Sequence, residues 1–266
     1  MSELSPRRVR PPLGLYGRAA AVLVLGWTAG YIDAVGYLEL AHVYTSHMTG
    51  NTAALGQYLS RAQWPEVLQH AWPILTFVFG LMLGAALTEA GRRRRFHSRL
   101  SLVLGLEMIL LAVLVIWSAP GSATGAGLWW VGLPALAMGL QTVTITRVGD
   151  QRVYSTYITG NLSKFAEALT GYSFWLADCY GQHRRSNRRQ RWLREALRHR
   201  LLGHALLTGG LWTLFLLGGL SGAERESRLG LAAVWWPIAV LGALIAVDLA
   251  RPITAVADNE PIAFQS

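Results

Sequence analysis

The chain has 266 residues, 52% of them hydrophobic and only 15% charged, with a mean hydropathy of +0.32, which excludes an ordinary soluble domain carrying about 25% charge. A net charge of +9 would suit nucleic-acid binding in a soluble protein, but the arginines are gathered into clusters between apolar runs, the pattern that orients a multi-pass membrane protein. Cys179 is the only cysteine, so an intrachain disulfide is excluded. In chain order, Arg7, Arg8, Arg10 and Arg18 precede an apolar run over residues 18–39. The run is longer than the core of a signal peptide and no small-x-small site closes it, so it reads as a first span behind a cytoplasmic tail, 1–17. Further runs of about 20 apolar residues, each enough to cross about 30 Å of hydrocarbon, fall at 71–91, 100–119, 126–146, 201–221 and 229–250. Pro120-Gly121 and Ser221-Gly222 punctuate the short connections.

Between these runs a nine-residue motif occurs twice: VYTSHMTGN at Val43–Asn51 and VYSTYITGN at Val153–Asn161. Each copy leads into a short helical segment, 52–59 or 162–169, of only about 12 to 15 Å at 1.5 Å per residue. If both segments crossed the membrane, Arg92–Arg95 would fall outside, against the positive-inside rule. If both enter and return on the same face, the N-terminal arginines, Arg92–Arg99, Arg184–Arg200 and Arg251 all lie in the cytoplasm. The expected fold is therefore an all-α membrane protein with about six transmembrane helices and two re-entrant half helices. Each repeat unit, 18–119 and 125–250, crosses three times, and an odd number inverts the second copy. Broken helices of inverted repeats frame the central sites of many transporters.

The motifs supply the candidate site. Thr49, Gly50 and Asn51, with Thr159, Gly160 and Asn161, stand at helix starts, where free N–H groups and the macrodipole favour an anion; the threonines or asparagines would cap those helices. The alternative is that TGN only caps and packs. Thr45 and Thr156 add hydroxyls in the stretch leading to each helix. Asp33 lies inside the first span and Gln141 at almost the matching place of the second unit. A carboxyl at membrane depth is a functional candidate; Asp33 would carry a coupling proton, or would hydrogen-bond a backbone amide of the motif. Lys164, the only lysine, sits in the first turn of the second short helix, where it opposes the dipole; an anionic substrate, Glu167 or Glu107 would compensate it. His47 and His204 are isolated, which argues against a metal site, and no cofactor is implied.

The stretch Arg188–Arg200 places Trp192, Leu193, Ala196 and Leu197 on one helical face against arginines, the pattern of an interfacial helix on anionic lipid. A docking surface for a soluble partner is the alternative. Gly80, Gly84, Gly203, Gly209, Gly210, Gly218 and Gly219 read as close helix-packing positions.

At GYIDAVGYL, TSHMTGN, the glutamine-bearing run 126–146 and TYITGN the sequence resembles the YoaK-like family of bacterial multi-pass inner-membrane proteins, over about Trp27 to Asp248. The resemblance implies a bacterial inner membrane and about six spans; it brings no substrate. On that pattern 172–200 is an insertion.

The function expected from these features is a small secondary transporter or channel for a small anion or polar solute, with a proton as coupling ion. Both termini would be cytoplasmic, the lipid bilayer and the solute would be the partners, nucleic acid would not be one, and an oligomer is compatible. Two alternatives stand beside it. A membrane scaffold or sensor would act through the arginine-rich segment. An intramembrane enzyme would use His47 and Asp33 as acid and base and Thr45 or Ser46 as nucleophile, with catalytic residues in one copy only.

Overall fold

The computed structural model describes residues 13–40, 42–94, 96, 98–117, 128–183 and 194–253. Helices α1 (Leu15–Glu39), α2 (Met48–Ser60), α3 (Trp64–Arg93), α4 (Arg99–Trp117) and α5 (Leu128–Thr142) are followed by a hairpin, β1 (Arg147–Val148) and β2 (Gln151–Arg152). Helix α6 (Ile158–His183), α7 (Arg200–Leu229), a 3-10 turn (Gly230–Val234) and α8 (Trp235–Ala250) complete the order. The hairpin, which the sequence reading did not anticipate, pairs Val148 with Gln151 around Gly149-Asp150. Gly149 has a φ of 63°, the left-handed conformation that glycine supplies at a two-residue turn.

Four stretches of the described residues are long and apolar enough to cross a membrane: α1, α3, α4 and the 51-residue stretch Arg200–Ala250 that contains α7 and α8. The expected runs 201–221 and 229–250 are thus two helices of one such stretch, divided where Gly230 adopts a φ of 54°. The run 126–146 is described as only 15 helical residues, because beyond Gln141 the chain turns, Thr144 N–H donating to the Gln141 carbonyl. The two short helices also begin earlier than expected, at Met48 and Ile158, and α6 continues to His183 instead of stopping near Leu169.

Close approach of backbones organises the bundle. A Cβ at Gly30 would lie 2.0 Å from the Phe215 carbonyl oxygen and one at Gly218 would lie 2.1 Å from that of Trp27, so α1 and α7 touch main chain to main chain. Gly26 meets Leu211 and Gly30 meets Phe215, and this equal stepping makes α1 and α7 parallel. The same device joins α3 to α5: a Cβ at Gly80 would lie 2.3 Å from the Leu136 carbonyl oxygen and one at Gly139 2.2 Å from that of Phe77. Helix α1 from before residue 118 therefore packs on α7 from after it, and α3 on α5. Of the glycines expected at helix contacts, Gly80, Gly84, Gly209, Gly210 and Gly218 meet a neighbouring helix within 3.4 Å, whereas Gly203 faces open space.

Hydrogen bonds fix the directions. Leu13 N–H donates to the Pro252 carbonyl, and Asp248 at the end of α8 accepts from the N–H and hydroxyl of Ser101, at 3.1 and 2.7 Å. One end of the bundle thus gathers the start of α1, the turn from α3 to α4, the end of α8 and, through Gly149 against Leu15, the hairpin. Arg92, Arg93, Arg147, Arg152, Arg200 and Arg251 belong to that end; the other carries Glu39, Glu66, Glu224 and Glu226 among three arginines. It follows that α1, α4 and α7 run one way and α3, α5 and α8 the other.

Helix α1 is central, burying Val22, Leu25, Ala29, Tyr31, Ile32 and Val35. The outer helices keep large apolar side chains exposed, among them Phe79 and Met82 on α3, Ile109 and Ile116 on α4, and Leu216 and Leu220 on α7. Apolar side chains outside and polar ones within suit hydrocarbon, where backbone groups must be satisfied internally.

Candidate functional site

Asp33 is where the first motif is fastened to α1. One carboxylate oxygen accepts from the Thr45 N–H (2.8 Å), the Thr45 hydroxyl (2.8 Å) and the Ser46 N–H (2.7 Å). The other accepts from the Ser46 hydroxyl at 2.9 Å and meets Nδ1 of His47. All of this is buried except the half-buried imidazole. Five groups converging on one carboxyl are what a charge in a dry setting requires, since an unpaired buried charge is costly. Of the two expectations for Asp33, the backbone amide bond is therefore present, reinforced by two hydroxyls and an imidazole.

The second motif is fastened by neutral groups. Nε2 of Gln141 donates to the Leu25 carbonyl (2.9 Å) and to the Ser155 hydroxyl (3.1 Å), while its oxygen accepts from Thr28 at 3.1 Å. Thr142 and Thr156 share a hydroxyl–hydroxyl bond of 2.7 Å. The first loop docks on α1 directly at Asp33 and the second reaches it through Gln141 of α5 at Leu25, eight residues and so about 12 Å away along the helix axis. The buried Thr28–Gln141 pair lies between.

The asparagines share one contact in both copies, a side-chain donation to the carbonyl of the tyrosine seven residues back. Asn51 donates to the Tyr44 carbonyl at 2.7 Å and accepts from the Tyr44 N–H at 3.3 Å, so its amide imitates a strand partner for the loop. Asn161 donates to the Tyr154 carbonyl at 2.8 Å. Neither caps its helix. The helices start three residues before the asparagines, and of the amides at those starts Met48 already donates to the Ser46 carbonyl, Gly50 to that of His47 and Ile158 to that of Thr156. Gly50 and Gly160 are helical, not turn, residues; Gly160 is covered by the ring of Tyr157, whose Cε1 lies 1.8 Å from where a Cβ would be. Thr49 and Thr159 are exposed. Lys164 donates to the Arg152 carbonyl at 2.7 Å, so the hairpin, and not Glu107 or Glu167, receives it.

Beside the first motif lies a cavity of about 290 Å³ that Gly50 and Asn51 help to line. Its chemistry comes from residues outside the T-G-N motif. Tyr37 stacks on Tyr44 with ring centroids 4.7 Å apart, Tyr58 stacks on His70 at 5.2 Å, and Glu66 supplies a carboxylate. Spacing along the chain could not have found them, because three separate segments contribute. His47 and Asp33 do touch, as the enzyme alternative requires, but the hydroxyls of Thr45 and Ser46 donate to Asp33 and not to the imidazole that would have to activate them.

Most of the arginine-rich stretch, 184–193, lies outside the described residues, Trp192 and Leu193 with it. In the part that is described, Ala196 and Leu197 do not share a face: Ala196 is buried, its carbonyl accepting from the Tyr172 hydroxyl at 3.0 Å, and Leu197 is exposed. A cleft lined by Trp175, Arg194, Glu195, Arg198, His199 and Arg200 lies alongside.

A bundle of long apolar helices with an apolar exterior and a polar seam at its centre is an integral membrane protein. Comparison with known families agrees: residues 21–247 match the family described as "Protein of unknown function (DUF1275)", and the chain belongs to that family. It is similar to the UPF0700 transmembrane protein YoaK of Bacillus subtilis (strain 168), with 27% identity over 158 residues, covering 59% of this chain and 70% of that protein. No solved structure matches.

Proposed function

We propose that this protein is a small secondary transporter of the bacterial inner membrane, built from two inverted units, 18–119 and 125–250, with α2 and α6 as re-entrant helices. The supporting observation is the reciprocal packing of antiparallel halves, α1 on α7 and α3 on α5, around two motif loops that come to α1 from opposite ends. Such an exchange lets the two units rock about a shared polar seam, the usual basis of alternating access. The arginine-rich end is cytoplasmic on the positive-inside rule, which puts both termini there.

The cavity beside the first motif is the solute site of this reading. Its stacked aromatic pairs, histidine and glutamine suit a small polar solute, and Glu66, the one charged lining residue, disfavours an anion. The anion expectation also loses ground at the helix starts, where the loop's own carbonyls take amides that an anion would need.

Flux into liposomes is the test, with a panel of neutral, cationic and anionic small solutes. Uptake of at least one polar solute, abolished by Tyr44→Ala and reduced by Glu66→Gln, is expected; no uptake of any solute refutes transport. Topology is tested by cysteines placed at Gln63 and Glu66 in a background lacking Cys179. Re-entry of α2 gives periplasmic labelling and a full crossing gives cytoplasmic labelling. The sensor alternative is favoured by the arginine-lined cleft near α7. Deletion of 184–200 separates the two, since a transporter keeps its flux and a sensor loses its output.

A further inference from the structure

Glu107 is the ninth of 19 residues in α4, in the middle of the apolar run, and it is fully buried on the same face as Leu100, Val103, Leu104, Leu111 and Leu114. Among the described residues neither of its carboxyl oxygens has a hydrogen-bond partner. Among the described residues its surroundings hold no counter-charge. Helix α5 and the 3-10 turn, both packed on α4, carry no titratable side chain. Helix α8 carries only Asp248, which is committed to Ser101 and to the Ile253 N–H at 2.8 Å, about 9 Å further along the axis. On α3 the titratable groups are Glu66, His70, Glu89, Arg92 and Arg93; Glu89 is bound to both arginines, and His70 stacks on Tyr58. The remaining charge on α4 is Arg99, two turns away at the end of the helix.

The contrast with Asp33 is chemical. Asp33 has five donors and remains a carboxylate, whereas Glu107 has none, and an ion at that depth without a partner is not tolerated when a proton can neutralise it. We infer that Glu107 is a proton-binding site at the middle of the bundle, occupied at neutral pH, and that Asp33, the carboxyl favoured by sequence alone, is not. Resting on the transport reading above, Glu107 is then the carboxyl through which a solute would be coupled to the proton gradient. Exchange needs only that α4 shift against α5 or α8 and admit water to the acid, which gives up or takes back one proton and no other atom.

The probe is a hydrophobic carbodiimide, dicyclohexylcarbodiimide, applied to the purified wild-type protein in detergent. The reagent takes up the acid proton while the carboxyl oxygen adds to its central carbon, so it marks protonated carboxyls in dry surroundings. Peptide mass mapping is expected to find the adduct on Glu107 at about pH 7, falling with a slope that approaches about tenfold per pH unit once the pH is well past the site's titration point. Glu107→Gln, a neutral isostere, should fold and lack the adduct. No adduct on Glu107, or an adduct on Asp33 in its place, overturns the inference. Coupling is read separately in the liposome panel: with Glu107→Gln, a solute carried by wild type should still exchange but no longer accumulate under an imposed acid gradient. Accumulation that persists removes the coupling role. If wild type moves no solute, the transport reading fails, while the adduct still decides whether Glu107 holds a proton.

Discussion

Removing the Asp33 carboxyl is the sharpest test of how the first motif is held. In Asp33→Ala the two backbone N–H groups of Thr45 and Ser46 lose their acceptor in a buried place, at about 1–3 kcal/mol each, and His47 and two hydroxyls lose theirs as well. Truncating one side of a buried charged pair costs about 3–5 kcal/mol in general, and the two amides alone reach that range. In Asp33→Asn one oxygen can still accept from Thr45 and Ser46, while the new NH2 can donate to the Ser46 hydroxyl and to a neutral His47. Its cost is about 1–2 kcal/mol, the size of one neutral hydrogen bond. At roughly 2–4 °C per kcal/mol for a chain of this size, melting of the detergent-solubilised protein should fall by on the order of 10 °C for alanine and by only a few degrees for asparagine. An alanine variant that melts within about 2 °C of wild type would refute the reasoning, because two orphaned buried amides cannot be that cheap.

Further outcomes follow from other contacts. Gly30→Ala must push α1 away from the Phe215 carbonyl by about 1 Å and should cost about 1–3 kcal/mol, whereas Gly203→Ala, facing open space in a helix, should be neutral or stabilising by up to about 1 kcal/mol; melting temperatures compare the two. Asn51→Asp and Asn161→Asp remove the donor to the tyrosine carbonyl and set a carboxylate against it. Each should lower stability by about 2 kcal/mol, and Asn51→Asp should also raise the reactivity of a cysteine placed at Tyr44. Asp150 in the hairpin is held below the usual carboxylate range, first by its hydrogen bond from His204 and also by Arg200. A depressed folded-state value means that its contribution is present above the ordinary aspartate range and is lost as the pH falls through the depressed value. Wild type should therefore progressively lose its melting advantage over Asp150→Asn as the pH drops below the ordinary aspartate value of about 3.9, and an advantage that does not change with pH would count against the ion pair.

The sequence by itself determined the class of this protein and its internal doubling. Long apolar runs between arginine clusters admit one solvent, and two copies of V-Y-x-x-x-x-T-G-N announce two equivalent loops; hydropathy and local repetition are properties of neighbours in the chain. Glycine spacing likewise gave Gly80–Gly84 and Gly218 as contact positions, because helical periodicity is local. Only the tertiary structure decided what the motif residues are for. The asparagines turned out to pair with tyrosine backbone seven positions back, and Lys164 with the carbonyl of a hairpin that no hydrophobic pattern signals. Asp33 and Glu107 look alike in sequence, each a lone carboxylic acid in an apolar helix. Whether such a group is a saturated anchor or an unpartnered acid depends on which donors other segments bring within 3 Å, and that is fixed by packing across the fold, not by position along it.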